Sequence, residues 1–147
     1  MNLKCEEDGL IIPEVGPWSE KKYDLISYYA DCFATSMKKK WDCRVYIDLF
    51  SGCGYSQIKN TSRIVTGSPL IALQVKDKFD QYIFCEDDAE KLEALETRVK
   101  KHHSHTSVSY FLGNVNETIY GVVDEIPEPV KNEFKVLCFC VVDPYNI

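Results

Sequence analysis

The sequence predicts an α/β fold, a parallel β-sheet covered by helices on both faces. Two observations carry this expectation. Four short apolar runs, at residues 45–50, 82–85, 108–111 and 136–142, have strand length, and the stretches between them space apolar residues three and four apart, as one helix face requires. Strands alternating with helices pair in parallel because each crossover carries the chain back over a face of the sheet. The 147 residues are 45% hydrophobic with a net charge of -6, from 17 Lys and Arg against 23 Asp and Glu, which describes one folded domain and excludes a disordered chain. A chain of this length buries roughly two-thirds of its unfolded surface, enough for a core without disulfides or structural metals. The acidic balance argues against unselective binding to nucleic acid or anionic membrane.

In chain order, residues 1–18 carry Gly9, Pro13, Gly16 and Pro17 without periodicity and read as an irregular arm, with the folded domain at residues 19–147. From 19 to 40, Tyr23, Ile26, Ala30, Phe33 and Met37 lay one apolar stripe along a helix, with Ser19 as its expected N-cap. Lys38, Lys39 and Lys40 then suit the negative end of the helix dipole better than a nucleic-acid patch. Ser68-Pro69 opens a second helix with proline in its first turn, carrying Leu70, Ile71 and Leu73. Asp88 caps a third, where Leu92, Leu95 and Val99 share a face; Lys100, Lys101, His102, His103 and His105 make its end a solvated, dipole-complementing tail. Asn116 is the expected cap of a shorter helix bearing Ile119, Val122 and Val123, before Pro127 and Pro129 break the chain. Right-handed crossovers between these elements yield a Rossmann-like half-fold.

The longest apolar run, 136–142, is far below the roughly 20 residues that span a bilayer. The start Met-Asn-Leu-Lys-Cys-Glu-Glu-Asp is acidic where a secretory signal is basic and then apolar, so no membrane association and a cytoplasmic location are expected. Seven cysteines with no C-x-x-C pair read as reduced thiols. Cys138 and Cys140 share a strand face and are expected in the core rather than on a metal.

Ligands of such sheets bind at the carboxyl ends of the strands, so the residues past each strand are the candidates. After the first comes Asp48-Leu49-Phe50-Ser51-Gly52-Cys53-Gly54, whose glycines allow a sharp turn and close backbone approach. Asp48 fixes the loop or accepts from a cationic amine. The third glycine of the dinucleotide fingerprint is missing, since Gln57 stands there, which disfavours a pyrophosphate and makes nicotinamide dinucleotide binding the weakest reading. The loop instead suits S-adenosylmethionine, which has no phosphate. After the second strand, Glu86, followed by Asp87 and Asp88, can accept bonds from two ribose hydroxyls or form an acidic turn. After the third, Gly113-Asn114-Val115-Asn116 either meets an adenine edge or is an ordinary turn. After the fourth, Asp143-Pro144-Tyr145 either is an ordinary turn, the commoner reading of such a motif alone, or offers an acceptor, a fixed backbone and an aromatic face, fit for a planar amine-bearing acceptor such as a nucleic-acid base or a small molecule. Coincident signals at four strand ends weigh more than any one.

The sequence resembles class I S-adenosylmethionine-dependent methyltransferases. More narrowly, it resembles the three-Cys-motif partner protein (TcmP) family, through Glu14-Val15-Gly16-Pro17-Trp18-Ser19-Glu20-Lys21-Lys22, Tyr46-Ile47-Asp48-Leu49-Phe50-Ser51-Gly52-Cys53-Gly54, Gly67-Ser68-Pro69-Leu70-Ile71-Ala72-Leu73 and Asp143-Pro144-Tyr145. The resemblance implies a methyltransferase acting with a three-Cys-motif protein, itself similar to radical-SAM enzymes. It implies that Asp48, Gly52 and Gly54 line the methionine part of the cofactor, that Phe50 and Ser51 also bind the cofactor, and that Glu86 lies at the ribose and Asn114, where Asp is common in the class, at the adenine. Asp143, Pro144 and Tyr145 would face the acceptor. The loop after the first strand also looks like that of cytosine-C5 methyltransferases, whose Pro-Cys nucleophile has no counterpart in Asp143-Pro144-Tyr145.

That class builds a larger sheet, so the sequence reads as the N-terminal part of such a fold, about four parallel strands, truncated after Ile147. The run 136–142 is then expected as an exposed edge, apolar on both faces. The alternative expectation is a non-catalytic adaptor, or an inactive fragment that binds the partner protein. Trp18 and the preceding block form either a lid over the cofactor or an anchor for the first helix.

Overall fold

The computed structural model describes residues 5–144. Its elements are β1 (Glu14–Val15), α1 (Trp18–Met37), β2 (Cys43–Asp48), β3 (Tyr55–Ile58), β4 (Ile64–Thr66), α2 (Ser68–Gln74), β5 (Gln81–Glu86), α3 (Ala89–His102), β6 (Val108–Leu112), α4 (Val115–Glu125) and β7 (Val136–Val141). The four expected strands are β2, β5, β6 and β7. They form one all-parallel sheet in the order β6-β5-β2-β7. The chain thus builds outward from β2 to β6 and then crosses to the other side of β2, an arrangement compatible with a Rossmann-like fold. No helix among the described residues is long and apolar enough to cross a membrane.

Side-chain alternation along β2 explains why both faces are covered. Tyr46 points to the face carrying α1, α2 and α3, where it joins Ala30, Leu70, Phe84 and Leu95. Cys43, Val45 and Ile47 point to the opposite face, where Val122 and Ile119 of α4 close a second cluster. The first cluster is aromatic at its centre: Tyr46 stacks on Phe139 at 5.8 Å, Phe33 meets Phe139 edge-on at 5.0 Å, and Phe79 contacts Tyr46 at 5.4 Å. Arg44, 5% exposed, ties the base of this cluster by donating to the carbonyls of Ala34 and Lys78.

Several local expectations are corrected. The cap of α1 is Pro17, with no side-chain bond, and Ser19 is the buried second residue of the helix, its N–H donating to the Gly16 carbonyl at 3.1 Å. Asn114, not Asn116, caps α4: its side chain accepts from the Asn116 N–H. The segment 1–18 is not wholly irregular, because β1 pairs in parallel with β3, and β3 pairs antiparallel with β4, making a small second sheet. Two- to four-residue strands are too short for alternation to mark them in sequence. Cys138 packs against the second cluster as expected, whereas Cys140, one pleat further along, is exposed past the cover of α4. His103 is half-buried rather than part of a solvated tail. β7 has a strand neighbour on one side only among the described residues, the edge that the sequence predicted.

Phe79 is 4% exposed amid Phe33, Tyr46, Tyr82 and Phe139. Phe79→Ala is expected to lower unfolding free energy by about 3–5 kcal/mol through lost burial and the cavity left behind, read from urea unfolding.

Candidate functional site

The carboxyl ends of β2, β5 and β7 open into a cavity of about 600 Å3, at the point where the strand order reverses. Register sets the arrangement, since Asp48 of β2 is level with Phe84 of β5 and Val141 of β7. The segments that leave these strands therefore converge over β2.

The loop after β2 forms the floor. Gly52 and Gly54 hold φ values of +66° and +93°, left-handed conformations that glycine adopts without strain. A Cβ on Gly54 would also lie 2.8 Å from the Leu70 side chain. The loop is pinned at each residue. Ser51 donates its N–H and its hydroxyl to the Cys85 carbonyl at 2.9 and 3.0 Å. The Gly52 N–H donates to Glu86 Oε2 at 2.9 Å, and the Gly54 carbonyl accepts from the Gly67 N–H at 2.7 Å. Glu86 Oε1 accepts from the N–H groups of Asp87 and Asp88 at 3.2 and 3.1 Å, so its carboxylate is fixed in direction at the cavity wall. Burial pushes the Glu86 carboxyl upward, and the N–H bonds from Asp88 and Gly52 oppose it.

The structure brings Phe50, Ser51, Gly52, Gly54, Glu86, Asp143 and Pro144 together on this cavity. Tyr145 lies outside the described residues. Asp48 is placed beneath the floor rather than on it: it is fully buried, with Oδ2 accepting from the Ser68 hydroxyl and Oδ1 from the Phe50 N–H at 3.3 Å. It thereby ties the start of α2 to the loop. Burial pushes its carboxyl up to about 6 against the lowering bond from Ser68. Asn114 does not line the cavity either, because its side chain is engaged as the α4 cap.

The opposite wall comes from the N-terminal segment. Lys22 of α1 pairs with Asp143 at 2.7 Å across the mouth. The Trp18 ring lies against Gly16, where a Cβ would come within 2.2 Å of it, and is 75% exposed, so this residue rims the cavity instead of entering the core. Lys22 was legible only as part of the Glu14-to-Lys22 block. Arg98 carries no local signal at all. It is 1% exposed on α3, donates Nη1 to the Cys53 carbonyl at 2.7 Å, and grips Asp8 with Nε and Nη2, each at 2.8 Å. Its guanidinium stacks 4.4 Å over Tyr55. Burial alone would lower Arg98, but the Asp8 bond together with the charge interactions of Asp8 and Cys53 raises it overall, and the same bond holds the Asp8 carboxyl below its ordinary range.

Chemically, the site presents loop main chain at close range, one oriented carboxylate on the β5 side and a Lys–Asp pair on the β7 side. The chain matches no family model, no curated protein and no solved structure.

The raised Asp48 carboxyl has a pH signature. A folded pKa near 6 against 3.8 unfolded means that the folded state binds the proton more tightly, so this group's stabilisation is full below about pH 4 and is lost as pH rises through 6. Asp48→Asn keeps an acceptor for Ser68 and removes the titration, so the melting-temperature gap between variant and wild type is expected to shift in favour of the variant from pH 4 to pH 7. Asp8→Ala strands a buried guanidinium and is expected to cost about 2–3 kcal/mol in urea unfolding.

Proposed function

We propose that the chain is a Rossmann-like class I S-adenosylmethionine-dependent methyltransferase domain that carries methyl to a nitrogen or oxygen acceptor beside Asp143, and that it works with a three-Cys-motif protein. The observation that carries the reading is the Gly52 N–H to Glu86 bond, which couples a left-handed glycine loop and an oriented carboxylate on one cavity at the strand-order reversal. The resemblance of the four sequence blocks gives the class. The cavity falls within the roughly 300–1,000 Å3 usual for small-ligand sites.

The donor set suits this cofactor. Gly52 and Gly54 leave the loop without Cβ atoms, so main chain approaches a ligand directly. Glu86, already oriented by its N–H donors, keeps lone pairs for a ribose diol. The loop runs into β3, not into a helix N-terminus, and thus lacks the dipole and N–H cluster that hold a pyrophosphate. Bound S-adenosylmethionine would supply an already activated methyl group. With it in place the residues' task would be alignment: the Gly52–Gly54 loop and Glu86 would hold the cofactor, and Asp143 would orient the acceptor and take up its proton. In the structure Lys22 holds Asp143, and an amine acceptor must displace that ammonium. The same ion pair is what favours a second reading, a non-catalytic scaffold for the three-Cys-motif protein, in which the acceptor side stays closed.

Calorimetric titration with S-adenosylhomocysteine is expected to give saturable one-to-one binding. Glu86→Ala should weaken it by about 10- to 100-fold, the worth of charge-assisted bonds to the ribose. A folded sample that shows no binding overturns the methyltransferase reading, and a stable complex with the partner protein without methyl transfer supports the scaffold.

A further inference from the structure

We propose, resting on the methyltransferase reading above, that Lys22 is the residue that receives the carboxylate of the cofactor, and that it gives up Asp143 to do so. Asp143 is thereby freed for the acceptor, and the cofactor enters before it.

The charges on the cavity wall single out Lys22. Glu14, Glu86, Asp87 and Asp143 line the cavity, against the ammonium groups of Lys22 and Lys91. A ligand carboxylate is therefore repelled along most of this wall and needs a cation where it comes to rest. The loop main chain offers little in its place, because the Ser51 N–H is spent on the Cys85 carbonyl and the Gly52 N–H on Glu86. Lys91 stands in the first turn of α3 on the β5 side, where its charge favours the Glu86 carboxylate. With the ribose on Glu86, the amino-acid end of the cofactor crosses the loop toward β7, and the cation there is Lys22.

The bond that holds Lys22 is of a kind that exchanges readily. Its Nζ lies 2.7 Å from Asp143 Oδ2, but the two side chains are 38% and 36% exposed, and a pair open to water contributes little to stability. A carboxylate on a ligand already held by Glu86 competes for the ammonium at high effective concentration. Nζ also lies 5.2 Å from the centre of the Tyr23 ring, itself on the cavity wall, so the ammonium stays over the cavity when it leaves Asp143. An amine acceptor that entered first would have to dislodge Lys22 unaided. After the cofactor, it meets an unpaired carboxylate that can accept its proton donors directly.

Calorimetric titration with S-adenosylhomocysteine and with methylthioadenosine, which keeps the nucleoside and the sulfur but has no amino-acid end, tests the exchange. Lys22→Gln, at a partly exposed position, is expected to weaken S-adenosylhomocysteine by about tenfold and to leave methylthioadenosine unchanged. Asp143→Asn is expected to tighten S-adenosylhomocysteine by about two- to fivefold, because the ligand no longer competes for Lys22, and this gain should vanish in the Lys22→Gln background. Equal losses on both nucleosides, no loss on either, no gain from Asp143→Asn, or a gain that persists without Lys22 overturns the proposal and leaves the cofactor site standing. If methylthioadenosine binds too weakly to titrate, the Asp143→Asn gain and its disappearance decide. A folded wild-type protein that binds neither nucleoside overturns the methyltransferase reading, and the proposal with it.

Discussion

The parallel pairing of β2 between β5 and β7 is the constraint on which the rest depends. Six residues of β2 are all buried, and the register with each neighbour sets which side chains reach the cavity end together. A one-residue slip would send Tyr46 to the α4 face and expose the aromatic cluster's centre, so the hydrophobic pattern locks the register. The same lock places Glu86 where the Gly52 N–H finds it. Packing on one end of the sheet thus fixes hydrogen-bond geometry at the other.

Asp48 shows the tension in this design. A carboxylate without exposure is costly, and here its partners are the Ser68 and Tyr46 hydroxyls and the Phe50 N–H rather than a cation. Apolar residues at that position would pack the first cluster more cheaply. What Asp48 provides is a junction: one side chain holds both the loop backbone at Phe50 and the first turn of α2 at Ser68, so two segments that border the cavity share one anchor.

The sequence made the main sheet legible because its strands are long enough for apolar runs to stand out and its helices carry three-and-four spacing over several turns. Asp88 was readable as a cap because its side chain bonds the N–H groups of the next turn, a local interaction. The hairpin of β3 and β4 was not, since Tyr55-Ser56-Gln57-Ile58 mixes polar and apolar residues over a span too short for a period. Among the candidate site residues, those that act through main chain, Gly52 and Gly54, lie where backbone conformation demanded them. Asp48 and Asn114 turned out to serve the scaffold at strand ends, because a carboxylate or amide at such a position bonds nearby N–H groups before it can reach a ligand. Lys22 and Arg98 needed the tertiary structure, for their partners lie at Asp143 and Asp8, far along the chain.

The glycine loop illustrates what those distant partners accomplish. A segment with two left-handed glycines has many alternative conformations, and ordering it at the moment of binding would subtract from affinity. Here the ordering is completed on folding. Ser51, Gly52 and Gly54 are tied to β5 and to the start of α2, while Arg98 holds the Cys53 carbonyl from behind and is itself held by Asp8. Flexibility is therefore chosen for the shape it permits, and removed by contacts that face away from the cavity. The main-chain groups on the ligand side stay available in one geometry, at a cost in folding stability that Arg98 and Asp48 concentrate in two buried charges.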